Sequence, residues 1–387
     1  MTPKASAEEK LHSVESSLID LSHRIHAKPE LGFEEEQAAS WICDLLDGEG
    51  FEVKRGVGDL PTAFTARAGN GPLHVAICAE YDSLPGIGHA CGHNIIAASS
   101  CGAAIAAAKV ADEAGLTIHV IGTPAEEVGN ASGKILLLER GAFAGMHMAM
   151  MVHPAPFDIA TMKIIAASMF EVAYTGKESH ASAFPELGIN AADALTVAQT
   201  AIGLLRQHIR QTDRIHGIVT QGGDAPNIVP AHTRAKYIIR SESIKELSDL
   251  RGKVHRCFEA GAIATGSTMQ IIGGDKPYAE MLHHEGIAAL YQQNAEALGR
   301  KFPDFGPMRD RVAASTDMGN ISLAIPSIHP AIGIESGTAV NHQPEFTAHC
   351  IKPAADKALL DGALAMAWTV VDVAADVNLR NQVLTAK

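Results

Sequence analysis

From Ala7 to His26 the apolar positions Leu11, Val14, Leu18, Ile19, Leu21 and Ile25 recur at helical spacing, and Pro29 stops the run, which predicts an amphipathic opening helix. A second helix is predicted over Glu35–Glu49. The uncharged run Leu73–Ala79 has strand length and turns at Leu84-Pro-Gly86 into a loop rich in glycine and histidine. Ile95–Ala114 is rich in alanine, as a helix packed closely on a sheet requires. Leu116–Ile121 reads as a buried strand, Thr123–Asn130 as a loop, Lys134–Arg140 as a helix and Met146–Val152 as another apolar strand. Strands alternating with helices in this way predict an α/β fold, a parallel or mixed sheet with helices on both faces.

The pattern changes at Lys163–Tyr174, where period-two alternation begins. Ile189–Ile209 then reads as a helix, Ile215–Thr220 and Arg234–Arg240 as strands, Ile244–Thr265 as a helix and Thr268–Ile272 as a closing strand. This sheet-and-helix pattern, close to a split βαβ arrangement, predicts a smaller α+β domain over 166–276 inserted into a first domain of 1–165 and 277–387. The chain is expected to be helical again from Ala279 to Gly299 and to end on a helix over Ala348–Val377. No internal repeat is visible.

A length of 387 residues agrees with two domains, since single cores stop growing below this size. Hydrophobic residues make up 47% and charged ones 19%, which leaves no composition for long disorder. The net charge of -13 repels phosphate backbones and anionic lipid heads, so neither nucleic acid nor a membrane surface is an expected partner. The first ten residues are polar, and charges or glycines break the apolar runs short of a membrane span, so a cytoplasmic protein is expected. Of the six cysteines, Cys91 alone is surrounded by histidines and glycines, while the others read as buried thiols.

Each apolar strand of the first domain runs into titratable groups, and open α/β sheets place their sites at such strand ends. Glu80 and Asp82 follow the first, leading to His89-Ala-Cys-Gly-His-Asn94; Glu126 and Glu127 follow the second; His153 follows the third; Asn341-His342 stands near the last helix. Cys91 and His93, two apart in a glycine-containing loop, can point at one ion, and thiolate and imidazole are preferred zinc ligands. The pair reads equally as a buried thiol beside a loop histidine. Adjacent Glu126 and Glu127 repel unless something positive compensates them; one could ligate an ion while the other takes a proton from water, or both could be solvated loop acids. His153 and His342 are each ambiguous alone. Together Cys91, His93, Glu127, His153 and His342 supply enough donors for one or two divalent ions.

His26-Ala-Lys-Pro-Glu-Leu-Gly-Phe-Glu-Glu35, Glu80-Tyr-Asp-Ser-Leu-Pro-Gly86, His89-Ala-Cys-Gly-His-Asn94, Pro124-Ala-Glu-Glu127 and Gly223-Asp-Ala-Pro-Asn-Ile-Val-Pro230 together resemble the aminoacylase and carboxypeptidase metallohydrolase family. Within it, the chain looks most like the branch holding indole-acetyl-amino-acid hydrolases, aminobenzoyl-glutamate hydrolases and β-alanyl-lysine dipeptidases; Ser315-Thr-Asp-Met-Gly-Asn320 is similar to the last group. The resemblance implies Cys91, His93, Glu127, His153 and His342 as ligands, Glu126 as general base, and Asp82 as the partner that orients a ligand histidine. It implies a lid and dimerisation role for the smaller domain, His180 of Ser179-His-Ala181 as an oxyanion donor reaching a partner subunit's site, and Asn227 and Arg240 as holders of the substrate carboxylate. A homodimer and a hinge near Ala166 and Gly274 go with it. At Glu80 the wider family often has a metal-binding histidine; this chain does not, and the cysteine ligand leaves zinc and manganese both open.

The reading is a metal-dependent amidohydrolase that splits the amide bond of N-acyl amino acids or related conjugates bearing a free carboxylate, a small-molecule substrate. A dipeptidase of the β-alanyl-lysine type, a non-catalytic binder of metal or carboxylate ligands, and an enzyme using Cys91 with His93 as nucleophile are the competing readings.

Overall fold

In the computed structural model, which describes residues 1–306 and 313–386, the apolar runs Leu73–Ala79 and Leu116–Gly122 lie side by side in parallel, Leu73 opposite Leu116 and Ala79 opposite Gly122. They form the middle of a six-stranded sheet whose order is Glu52–Arg55, Phe64–Ala68, Leu116–Gly122, Leu73–Ala79, Met148–Met150, Ser327–Ile328. The first two strands join antiparallel and the last four run parallel, so the sheet is mixed, as expected. The two antiparallel strands were not predicted. Glu52–Arg55 carries three charged residues, and its burial is that of an exposed edge.

Thr2 accepts from Ala5 N–H and Pro3 sits in the first turn, so the opening helix is Pro3–Ala27, longer than its apolar stripe. It buries Leu11, Val14, Leu18, Leu21 and Ile25 against the helix His93–Ala108, which is buried from His93 to Ala107. That helix ends at Lys109, and the predicted continuation to Ala114 is a separate single turn, Ala111–Ala114. The last long helix starts at Pro353 rather than Ala348, after a short turn Pro344–His349. Pro353–Ala375 has the length and apolarity to cross a membrane, but Asp361 and Asp372 interrupt it and most of it is buried against the helices Pro3–Ala27, His93–Ala108 and Glu285–Ala297.

The chain divides into two units: Met1–Val128, Ser132–Lys163 and Met281–Lys387 form one, Gly129–Ala131 and Ile164–Glu280 the other. Residues 307–312 and 387, within the range assigned to the catalytic domain, lie outside the described residues. The second unit is a four-stranded antiparallel sheet in the order Thr268–Gly273, Ala166–Thr175, His232–Ser241, Arg214–Gln221, with helices Ala191–Leu205 and Ile244–Thr265. Its core holds Phe170, Tyr174, Leu195, Ile239, Leu250 and Phe258. Its two ends meet, because Ala167 and Tyr278 exchange backbone hydrogen bonds of 3.0 and 2.9 Å.

On the central sheet His74 Nδ1 and His119 Nε2 are 3.1 Å apart, so the two imidazoles share one proton. Burial, then His74, pushes His119 from the ordinary 6.5 down to about 4. Above pH 6.5 both folded and unfolded chains keep this ring neutral. Between pH 6.5 and 4 the unfolded chain takes a proton that the folded one refuses, so stability falls across that window. Urea unfolding at pH 7.5 and 4.5 should show a smaller acid loss for His119→Gln than for the wild type; equal losses would remove His119 from the account.

Candidate metal centre and active site

The parallel register brings the carboxyl ends of Leu73–Ala79, Leu116–Gly122, Met148–Met150 and Ser327–Ile328 to one edge of the sheet. Glu80 and Asp82, Glu126 and Glu127, His153, and His329 emerge there. The loop after Leu116–Gly122 is held by strain: Ala125 has φ 59°, a left-handed conformation that costs a non-glycine residue about 1 kcal/mol or more. Buried Glu35 secures it by accepting from Ala125 N–H at 2.8 Å, while its other oxygen takes Thr62 Oγ1–H at 2.9 Å. Burial, then the Asp82 charge, raises Glu35 to about 7. His342 is also left-handed, φ 69°, and its N–H donates to Ala90 O at 3.0 Å.

Asp82 is buried and fixes two neighbours. One oxygen accepts from His93 Nδ1–H at 2.9 Å and the other from Glu127 N–H at 2.9 Å. A carboxylate only accepts, so His93 carries a proton on Nδ1 and turns Nε2 into the site. His153 does the same through Pro154 O, at 2.8 Å, with its ring perpendicular to that of His93 and 6.0 Å away. Burial takes His153 down to about 4, so this imidazole is neutral near pH 7. Burial opposes charge on His93 too, but Asp82, Glu80 and Glu127 outweigh it and raise this imidazole well above its ordinary value.

Donor atoms of Cys91, His93 and His153 lie within 4.8 Å of one another, as do those of Cys91, Glu127 and His342, and those of Glu80, His93 and Glu126. The first two sets share Cys91. His342 is the exposed member. Glu80 Oε2, His93 Nε2 and Glu127 Oε1 are buried without a hydrogen-bond partner among the described residues. Glu80 Oε2 stands 3.4 Å from His93 Nε2, and Glu127 Oε1 3.6 Å from His342 Nε2. Nitrogen and oxygen ligands about 2.0–2.1 Å from a tetrahedral ion are about 3.4 Å apart. The buried carboxyl groups of Glu80, Asp82, Glu126 and Asp317 share one buried ammonium, Lys134, and acidic groups gathered in this way are retained where cations compensate them. The residues therefore fit a centre for one or two divalent ions.

Burial, followed by the charges of Glu80, Glu127 and Asp317, raises Glu126 well above the carboxylate range, which suits a group that must accept a proton. Burial, then Glu127, likewise raises Cys91 well above a free thiol. A thiol held protonated is a poor nucleophile, which counts against the cysteine-nucleophile reading.

The profile of peptidase family M20/M25/M40 matches residues 76–359, a span containing every residue of the cluster from Glu80 to His342. The chain belongs to this family. A mouse (Mus musculus) relative, Xaa-Arg dipeptidase, is 37% identical over 385 residues, covering 96% of this chain and 88% of the relative. One of the subunits of p-aminobenzoyl-glutamate hydrolase from Escherichia coli is 32% identical over 275 residues, 65% of this chain and 56% of that one. A Bacillus subtilis structure described as a dinuclear metal binding peptidase from the M20 family shares the fold with a TM-score of 0.70 at 20% identity, over 95% of this chain and 99% of that one. This M20 chain is accordingly a hydrolytic enzyme of the branch that its motifs resemble.

Sequence reasoning about the M20 chain missed part of the site. Lys134, buried, donates to Glu80 Oε1 and Asp317 Oδ1, and Asp317 Oδ2 accepts from Ser132 Oγ–H at 2.7 Å and Lys134 N–H at 3.0 Å. Gly133 allows this packing: a Cβ there would lie 1.9 Å from Pro124 O. His329 is buried, its ring 5.6 Å from that of His153, with neither nitrogen hydrogen-bonded among the described residues. The signal for it was present, because His329-Pro330 ends an apolar strand just as His153-Pro154 does, and Ala331 pairs with His153.

In the second unit, His180 and Asn227 are exposed neighbours, Ala181 N–H donating to Asn227 O at 3.0 Å and His180 bridging to Ile228. His180 Nδ1 accepts from Ser182 N–H and Ala183 N–H at 3.3 and 3.2 Å. Arg240 is half-buried on the strand His232–Ser241, opposite Ala167 and Arg214, and burial lowers its pKa.

Proposed function

We propose that this M20 enzyme is a metal-dependent amidohydrolase whose substrates are dipeptides and related amides with a free carboxylate. The observation that carries the metal reading is the buried excess of carboxylates beside unpaired imidazole and carboxylate donors. Zinc or manganese ions bound there would polarise the scissile carbonyl and lower the pKa of the attacking water. Cys91, His93, Glu127, His153 and His342 hold the ions, and Asp82 keeps His93 in the tautomer that binds. Glu126 takes a proton from the water and returns it to the leaving nitrogen as the C–N bond breaks.

In the smaller unit, Asn227 and Arg240 are assigned to the substrate carboxylate, and His180 to the oxyanion across a dimer. A homodimer is supported by the edge strand Arg214–Gln221, which leaves its backbone row unpaired on one side and exposes Ile218 and Val219. The mouse relative is named for dipeptides ending in arginine, which supports dipeptides with a basic carboxy-terminal residue as substrates here, and a net charge of -13 would draw them in. The E. coli relative supports N-acyl amino acids as the second reading.

The test is a panel of Xaa-Arg and Xaa-Lys dipeptides, N-acyl amino acids and p-aminobenzoyl-glutamate, offered to protein stripped with chelator and then reloaded with zinc or manganese. Hydrolysis should return only on reloading and be fastest for the basic dipeptides. Full hydrolysis in chelator, abolished by thiol alkylation, would establish the cysteine-nucleophile reading instead; no cleavage with either metal would leave a binding protein.

A further inference from the structure

Among the motifs visible in the sequence, His26–Glu35 has no part in the mechanism above, and it precedes the matched residues 76–359. Resting on the reading of Glu126 as the base, we propose that Glu35 is its positioning residue, the side chain that holds the loop 123–128 in the shape that presents Glu126 to the water. Glu35 is fully buried and both of its oxygens are engaged, Oε1 by Ala125 N–H at 2.8 Å and Oε2 by Thr62 Oγ1–H at 2.9 Å. Ala125 immediately precedes Glu126, and its φ of 59° is a conformation that a residue with a Cβ leaves unless its surroundings hold it. The bond from Glu35 supplies that hold at the strained residue itself. Without it the loop keeps the strain and gains a buried N–H that lacks this acceptor, so it relaxes, and Glu126 moves with it.

The clamp stands on a rigid mount. Glu35 leads directly into the helix Glu36–Gly48, which buries Ile42 and Leu46 in the core. The Glu30 carboxylate accepts from Gln37 N–H and Ala38 N–H at 3.0 and 2.9 Å in the first turn of that helix, where a negative charge is favoured. The segment is also pressed against the loop it holds, since a Cβ on Gly32 would lie 2.6 Å from Val128 Cγ2 and 2.9 Å from Ala125 Cβ. Glu35 therefore ties the turn to the core helix and reaches Glu126 through Ala125. Glu127 has an anchor of its own, its N–H on Asp82, so the loss of Glu35 falls on the base before it falls on the ligand.

Glu35→Leu removes the acceptor at nearly the same volume. Glu35→Gln restores it, because the amide oxygen takes Ala125 N–H and the amide nitrogen donates to Thr62 Oγ1. Both variants and Glu126→Gln, loaded with zinc, are compared with wild type in kcat and KM on the fastest substrate of the panel above, in metal content, and in amide hydrogen exchange of the peptide containing Ala125. The expected result is that E35L lowers kcat by about 10- to 100-fold at nearly unchanged KM and metal content and speeds exchange at Ala125, while E35Q stays close to wild type in every readout. Wild-type kcat in E35L would overturn the proposal, and so would an E35Q as slow as E35L, which would make charge the cause. Metal lost in step with rate in E35L would reassign Glu35 to the support of Glu127. A slow E126Q beside a fast E35L sinks only this proposal; an E126Q at full rate sinks the base reading and the catalytic role of Glu35 with it. Should E35L not fold, Glu35→Asp, which withdraws the carboxylate by one methylene, is read in the same way: a lower kcat with faster exchange at Ala125 supports the clamp, and no change in either refutes it.

Discussion

Glu126→Gln lowers kcat by at least about 10²- to 10⁴-fold while the metal content stays at the wild-type level. Under the proposed mechanism the change removes the proton carrier and leaves the proposed ligands Cys91, His93, Glu127, His153 and His342 untouched. The direction of the Glu126 shift gives the experiment its discrimination. Burial and the Glu80, Glu127 and Asp317 carboxylates already favour the neutral form of this side chain, so a neutral amide there relieves repulsion and the fold should be no less stable. Steady-state kinetics together with metal analysis decide the matter. A variant that loses its metal along with its activity makes Glu126 a ligand, and one that keeps its rate removes it from the chemistry.

The largest effect on stability is expected at Lys134. Replacing this ammonium by the apolar side chain of methionine leaves Glu80 and Asp317 buried with no cation between them, and breaking a buried charge pair from one side costs about 3–5 kcal/mol. Urea denaturation of Lys134→Met against wild type, at constant metal, measures it. The double variant Lys134→Met with Asp317→Asn should lose less than the single one, because the second change removes a charge that the first left uncompensated. A loss below about 1 kcal/mol in the single variant would show that water or a relaxed backbone reaches the network.

How legible these features were follows the range of the interactions that make them. The strands Leu73–Ala79 and Leu116–Gly122 and the helix Ile244–Thr265 lie where uncharged runs or amphipathic spacing place them, because burial of one face is a local signal. The ligand candidates were visible as polar groups at strand ends. Lys134 read only as the start of a helix and Asp317 only as part of the motif Ser315–Asn320, since their chemistry comes from a contact 183 residues apart in the chain. Phe64–Ala68 was passed over although Phe64, Ala66 and Ala68 alternate with Thr65 and Arg67, because five residues with two alanines make a weak local signal that the partner strands complete. The start of the last helix was misplaced through its cap: Pro353 favours the first turn, so it begins that helix where five further residues were expected before it.

The mutual hydrogen bonds of Ala167 and Tyr278 carry a consequence for how such a protein could have arisen. A segment of more than a hundred residues that enters and leaves through one pair of bonded residues asks of its host only what a short surface turn asks. Its length therefore adds little closure entropy to the folding of the sheet that bears the ligands. Insertion, loss or exchange of the whole segment is then an economical step in descent, one that leaves the strand ends of the larger unit's sheet as they were.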